Sequence, residues 1–415
     1  MEQMSQELSA SAAGVLAAVQ AGQVSVTEVV TAQLAALHEV HERTHAIAAF
    51  ADDRALSDAR LLDQAFAAGG HTGPLHGLPV TIKDWIDVEG FPCAGDTGQT
   101  DRWPAADATV VARLRRAGAV VLAKTHAWGP RTGPQRVRHP VDPSRSPGGS
   151  STGEGVVIAA GASVIGLGSD SGGSIRLPAA WCGVFGLKPT AGRVPGTGHF
   201  PRIGALSDGR TQIGPLARDI DGLERVLAVI AGPDWRDAGV SPVPLLSSAQ
   251  ASLAGATFAV LAGEDGWWPA TDQGAALDRA ASSLSAAGLV RTGWKVPWLT
   301  EALDITRRYW TRTELSGEQA DRQLWDWDRF RRRYLRAAEG IDFLLTPACL
   351  EPAPPWHRDV TGEDFIFTLP ASLTGSPAIS VPAGTDARGL ALAVQLVGRP
   401  WEDHRLLAAA SLLAF

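Results

Sequence analysis

Short apolar runs of strand length alternate with helical segments along most of this chain, and that order narrows the fold more than any other feature. Leu78-Pro-Val-Thr-Ile82 reads as a buried strand ending at Lys83-Asp84. Val110, Val111 and Leu114 then fall at helical spacing until Gly118 stops the helix, and Ala119-Val-Val-Leu122 is the next strand. The alternation continues with a small-residue helix around Gly155 to Ala160 and strands at Ser163 to Leu167 and Phe258 to Leu261. A helix from Gly274 to Ala287 and strands at Phe343 to Thr346 and Ala378 to Val381 complete it. Upstream, Ser25-Val-Thr-Glu28 forms a capping box, and Val29, Val30, Leu34 and Leu37 recur at helical spacing behind it. The order predicts an α/β fold with a helix-covered, mostly parallel or mixed sheet. Residues 299 to 340 depart from it: they are helical, rich in Arg and Trp, interrupted at Ser316-Gly317, and expected to form a cap or outer layer. No linker, charge block or repeat divides the 415 residues, so one large domain, 1–415, is expected.

With 45% hydrophobic and 20% charged residues the chain can bury a large core. A net charge of −7 disfavours broad attraction to nucleic acid or anionic membrane and leaves a small molecule as the expected partner. Cys93, Cys182 and Cys349 are odd in number and widely spaced, which gives neither a disulfide framework nor a C-x-x-C metal pattern and fits a reducing cytoplasm. The start, MEQMSQELSA, lacks the basic and apolar regions of an export signal, and no run of about eighteen apolar residues occurs. No metal or cofactor is expected, and the oligomeric state stays open, a homodimer included.

The chemistry is concentrated between Ser146 and Ala179, which hold seven serines and nine glycines. Gly149-Ser150-Ser151-Thr152-Gly153 fits the G-x-S-x-G elbow of α/β-hydrolases, with Ser151 as nucleophile, but His357 and His404 are unsupported partners for it. Ser171-Gly172-Gly173-Ser174 has two residues without side chains before a serine, so the backbone can fold tightly and aim successive N–H groups into one concavity. The plainer reading of that motif is a Gly-rich turn, and an anion-binding nest without catalysis is a third possibility. His126, His139, His199, His357 and His404 are scattered and read as surface or hydrogen-bonded residues. Lys83 is the other candidate base: it ends an apolar strand and precedes Trp85-Ile86, surroundings that disfavour ammonium and lower its pKa. Its plainer reading is a strand-end lysine paired with Asp84.

Taken together, these motifs resemble the amidase signature family. The resemblance rests on GGSSTGEG and GLGSDSGGSIRLPAAWCGVFGLKPT, with GPLHGLPVTIKDWIDV before them and IGPLARDIDGLERVL and SPAISVPAGTDARGLALAVQLVGRPWED after. It is densest over about 74–225 and weakest over about 265–340, which is expected to shape the substrate site. It implies a twisted mixed sheet with helices on both faces, and cofactor-free hydrolysis of a small-molecule amide to acid and ammonia or amine. It also implies that Lys83 is the base, Ser150, after a cis peptide bond, a bridging serine, and Ser174 the acylated nucleophile. The N–H groups of Ser171, Gly172, Gly173 and Ser174 would form the oxyanion hole, with Asp170 and Arg176 bracing the loop. A partner-dependent glutaminase of the glutamyl-tRNA amidotransferase type is the alternative within the family. Thr152 stands where the family mostly has glycine, and His126 and His139 where asparagine is common. The segment from Lys124 to Gly149 is several residues shorter than usual; Trp128, Arg131 and Arg136 within it are candidate substrate contacts. Trp294, Trp298, Trp310, Trp325 and Trp327 either pack helices on the sheet or line an acyl pocket.

Overall fold

In the computed structural model, which describes residues 11–71, 73–95, 102–129, 133–204, 208–264, 266–294 and 298–413, each apolar run becomes one strand of a single sheet. Its eleven described strands are β1 (Ile47–Phe50), β2 (Pro79–Lys83), β3 (Val120–Thr125), β4 (Ile165–Asp170), β5 (Phe185–Lys188) and β6 (Gln212–Ala217), then β7 (Thr257–Val260), β8 (Val290–Arg291), β9 (Phe343–Pro347), β10 (Ala378–Thr385) and β11 (Ala391–Gly398). Across the sheet the order is β1-β3-β2-β4-β6-β5-β10-β11-β9-β7-β8. The pairs β2·β3, β2·β4, β7·β9 and β7·β8 are parallel and the rest antiparallel, so the sheet is mixed.

Both faces are buried, as the period-two alternation of side chains requires. Phe343 and Leu345 of β9 join one apolar cluster and Leu344 the other; Leu392, Val394 and Leu396 of β11 face the first, Ala393 and Val397 the second. Helices Val26–Thr44, Ile220–Ile230, Thr271–Ala286 and Asp403–Ser411 feed the larger cluster. The segment expected to differ, here Leu299–Trp310 and Glu318–Ala337, packs with Leu369–Thr374 in the smaller one. The capping box at Ser25 and Glu28 forms with both reciprocal bonds. No helix among the described residues is long and apolar enough to cross a membrane.

Strand β6 carries Pro215 at its centre, a residue that cannot donate to a ladder. It lies in register with Leu167 of β4, while the ladder with β5 on the other side reaches only Leu216 and Ala217. The site is placed by β2 and β4, parallel neighbours in register Thr81↔Gly166 and Ile82↔Leu167. Their carboxyl ends, Lys83 and Ser169-Asp170, therefore emerge side by side, where open α/β sheets commonly bind ligands. Helix Thr152–Ala159 lies close against this pair: a Cβ on Gly166 would meet the Glu154 carboxylate and the Thr81 hydroxyl. Gly166→Ala is thus expected to lower stability by about 1–3 kcal/mol through overpacking. Gly274→Ala, inside a helix with space around it, should raise it by about 0.5–1 kcal/mol. Urea unfolding of the two variants measures both.

Candidate active site

Strand β2 delivers Lys83 into the protein interior with no exposed surface. Its Nζ lies 2.6 Å from Ser150 Oγ, 3.1 Å from Ser169 Oγ and 3.4 Å from the Ser169 carbonyl, and 4.2 Å from the Trp85 ring centroid. Asp84 does not take it; that carboxylate lies 3.7 Å from the neighbouring buried Lys124. The Gly149–Ser150 peptide bond is cis. The Trp128 indole covers Gly149 so closely that a Cβ there would be 2.3 Å from the ring, and the Trp128 backbone N–H donates to the Ser150 carbonyl at 2.9 Å. Thr152, in place of a glycine, turns its hydroxyl to the Gly148 carbonyl at 2.9 Å and so closes the same turn.

The chain leaves β4 at Asp170 directly into Ser171–Ser174, and every carbonyl of that turn is tied away. Arg210 Nε donates to Ser171 O, the Thr368 hydroxyl to Gly172 O, Leu177 N to Gly173 O and Ser151 N to Ser174 O. None of the four N–H groups has an acceptor among the described residues. Gly173 sits at φ +141°, a conformation that favours glycine, and a Cβ there would strike Thr368 and Phe365. Asp170 and Arg176 brace the turn. The fully buried carboxylate accepts from Ile175 N, Arg176 Nε and an Arg176 terminal nitrogen, and Arg176 also donates to Thr368 O, Gln395 and Ser372. Burial alone would raise the Asp170 pKa, but the adjacent guanidinium holds it below the usual range.

A cavity of about 600 Å³ opens over this arrangement, with Ser150, Ser171, Ser174 and His199 among its polar lining and Trp85, Trp128, Trp310 and Phe365 as aromatic walls. Trp310 sits over Gly172, where a Cβ would meet its ring at 2.8 Å, and packs edge-on against Phe365. Of the other clustered tryptophans, Trp294 donates to Ala337 O, Trp327 to Leu373 O, Trp298 packs on Phe330, and Trp325 is exposed. Of the candidate substrate contacts, Trp128 is placed at the cavity. Arg136 is not: it stacks on Trp356 at 4.4 Å, donates to Pro143 O and lines a neighbouring cavity of about 270 Å³ that shares Trp128 and Val360. Arg131 lies outside the described residues. Ser151 has no exposed surface, and its hydroxyl is held 3.3 Å from both the N–H and the carbonyl of Ser169, which removes it from the nucleophile's position. Ser174 Oγ makes no hydrogen bond to Ser150 among the described residues.

Two site residues carry no signal in the local sequence. His199, read from sequence as a surface or hydrogen-bonded residue, is a buried, hydrogen-bonded one and reaches the cavity because its backbone bridges to Ile86, near the end of β2; its Nε2 lies 2.8 Å from Ser169 Oγ. Thr368 arrives from the far end of the chain, and only the folded tail brings it to Gly172. His139, by contrast, is the bonded structural residue the sequence suggests, with Nε2 at 2.9 Å from Trp181 O.

Behind Lys83, Glu154 is fully buried and accepts from the hydroxyls of Thr81 and Thr125 at 2.7 Å each. Burial pushes its carboxyl up to about 7, against the opposing effect of those bonds and of Lys83 and Lys124. A carboxyl raised from 4.5 to about 7 on folding stabilises the protein fully below about pH 4.5. That contribution is lost as pH rises to 7. The melting-temperature difference between Glu154→Gln and the parent should therefore grow in the variant's favour from pH 4.5 to 7 and then level off; calorimetry across that window checks it.

A family model described as Amidase matches residues 28–326 and 314–407. The chain is 32% identical to the A-type subunit of glutamyl-tRNA(Gln) amidotransferase from Symbiobacterium thermophilum, covering 93% of this chain and 92% of that protein. It is also 32% identical to the corresponding protein of Chlorobium chlorochromatii, at 95% and 96% coverage. Among solved structures it is similar to a chain of a vestigial protein complex that reveals the evolutionary origins of an s-triazine catabolic enzyme (TM-score 0.83, 29% identity, 97% and 98% coverage). It is likewise similar to the peptide amidase of Stenotrophomonas maltophilia (TM-score 0.81, 26% identity, 97% and 96% coverage).

Proposed function

From the premise that this chain belongs to the amidase family, we propose that it hydrolyses a carboxylic amide through an ester on Ser174, with Lys83 as base and Ser150 as proton relay. The observation that carries this reading is the turn Ser171–Ser174, whose four N–H groups have no acceptor among the described residues and whose first and last residues line the cavity beside the 2.6 Å Lys83–Ser150 contact. Ser174 Oγ attacks the carbonyl carbon while its proton passes to Ser150 and the Ser150 proton to the neutral Lys83 amine. The oxyanion forms against the N–H row. As the C–N bond breaks, Lys83 returns the proton through Ser150 to the leaving nitrogen, and water then cleaves the ester by the same path. The Ser174–Ser150 hydrogen bond closes on substrate binding, as catalytic bonds commonly tighten only in the reacting complex.

The cavity favours an acyl group that is aromatic or otherwise planar and apolar, because four aromatic rings wall it. Asp208, the carboxylate there, is already engaged by the N–H groups of Arg210 and Thr211, by the Thr211 and Tyr309 hydroxyls and by Arg312. That occupancy counts against recognition of an amino-acid ammonium group. A second reading, a glutaminase that depends on partner proteins, is favoured by the similarity to the A-type subunits of amidotransferases. Net charge −7 and three free, buried cysteines support a small-molecule substrate and a cytoplasmic setting.

Turnover of the isolated chain on benzamide, phenylacetamide, acetanilide and L-glutamine separates the readings. Hydrolysis of the aromatic amides by the chain alone is expected; glutamine turnover that appears only with added partners would support the second reading. On the best substrate, Lys83→Met and Ser174→Ala should abolish activity while Ser150→Ala falls by about 10²–10⁴-fold. Near-parental turnover by folded Lys83→Met would remove the lysine from the mechanism.

A further inference from the structure

His199 lies at the far end of a hydrogen-bond chain that passes through Ser169 to Lys83, and the chain has a fixed direction. Its Nδ1 is 2.6 Å from the carbonyl of Pro201, which can only accept, so Nδ1 carries the hydrogen. Burial, partly offset by that bond, lowers the His199 pKa to about 4, so the ring is neutral near pH 7. Nε2 therefore presents a lone pair, and the Ser169 hydroxyl 2.8 Å away must donate to it. With its hydrogen committed, Ser169 Oγ can only accept from Lys83, as can the Ser169 carbonyl.

We propose that His199 is a positioning residue: by fixing Ser169 as an acceptor, it draws the Lys83 N–H groups toward Ser169 and leaves the amine lone pair directed at Ser150. The proposal rests on the base role of Lys83 above. A neutral primary amine has two N–H groups and one lone pair. When both N–H groups are directed to Ser169, the lone pair lies toward Ser150 Oγ at 2.6 Å. Ser150 then donates to Lys83 and keeps its own lone pairs for Ser174, which is the direction the relay needs. Without an acceptor at position 199, the Ser169 hydroxyl is free to turn and donate to Lys83, competing with Ser150 for the lone pair and stabilising the neutral amine in an unproductive arrangement.

This gives a signature that simple loosening of the fold would not. The probe is an alkyl fluorophosphonate, whose second-order reaction with Ser174 reports nucleophile activation without a known substrate. In His199→Leu, the plateau rate should fall by about 10-fold or more and the acidic limb of the pH profile should move to lower pH, because the Lys83 ammonium loses the acceptor that His199 held toward it while the neutral amine can still accept a hydrogen bond from Ser169 or Ser150. His199→Gln retains an acceptor for Ser169 and should recover most of the rate and the original limb. The charged groups around this chain are Glu154 and Lys124 near Lys83, and Asp87 and Asp208, whose charges act on His199; all remain in these variants.

A folded His199→Leu with the parental rate and limb overturns the proposal, as does His199→Gln behaving like His199→Leu. Should His199→Leu fail to fold, Ser169→Ala replaces it: a slowed reaction supports the chain, and a parental rate contradicts it. Lys83→Met in the same assay keeps the two ideas apart. If Lys83→Met reacts at the parental rate, the base assignment itself fails; if it is slow while His199→Leu is normal, only the role of His199 fails.

Discussion

Asp170 and Arg176 form an ion pair with both side chains withdrawn from water, and the geometry of the Ser171–Ser174 turn depends on it. Removing one member of such a pair typically costs about 3–5 kcal/mol, since the other is left buried and unpaired. Here the pair also makes a connection. Asp170 closes β4 and accepts from the backbone just after the turn, while Arg176 reaches Thr368 O and Gln395 in the carboxyl-terminal part of the chain. The Thr368 hydroxyl in turn holds the Gly172 carbonyl. The turn is thus stretched between strand, helix and tail, with its carbonyls bonded and its N–H groups left without an acceptor among the described residues. Preorganised donors of this kind need no rearrangement as charge develops, which is why oxyanion stabilisation is commonly a large catalytic term.

A lysine works as a base only when its lone pair is available and aimed. Burial at the end of β2 excludes water from Lys83, and Ser169 and Trp85 surround its head while leaving Ser150 closest. Parallel pairing of β2 with β4 brings Lys83 and Ser169 together without a long loop. The scaffold therefore places the proposed base and the group proposed to orient it at two adjacent strand ends.

Much of this was legible in the sequence because it is written locally. Apolar runs marked β2, β3, β4, β7, β9 and β10, and the capping box at Ser25 marked its helix. The Gly-Gly step before Ser174 pointed to a tight turn of convergent N–H groups. Less visible were β6, where Pro215 and Gly214 disguise a buried strand, and β5, whose short run Phe185-Gly-Leu-Lys188 is broken by a glycine and ends in a lysine. His199 and Thr368 were hidden for another reason: each acts through a tertiary contact, and nothing in their neighbours' spacing reveals it. The Trp-rich segment divided in a way composition could not foretell, with Trp310 reaching the cavity while Trp294 and Trp327 bond to helix-end carbonyls. Arg136 was drawn off by Trp356 and Pro143 into the adjoining cavity.

The central claim is that Ser174, and neither Ser150 nor Ser151, is the nucleophile, because it ends the row of N–H groups that have no acceptor among the described residues. The most direct measurement is mass spectrometry of a proteolytic digest after reaction with a fluorophosphonate. The account predicts a single phosphonylated residue, Ser174, with Ser151 unlabelled in its bonds to Ser169 and Ser150 unlabelled as the relay. Label on Ser150 would reverse the two serine roles, and label on Ser151 would contradict the arrangement altogether.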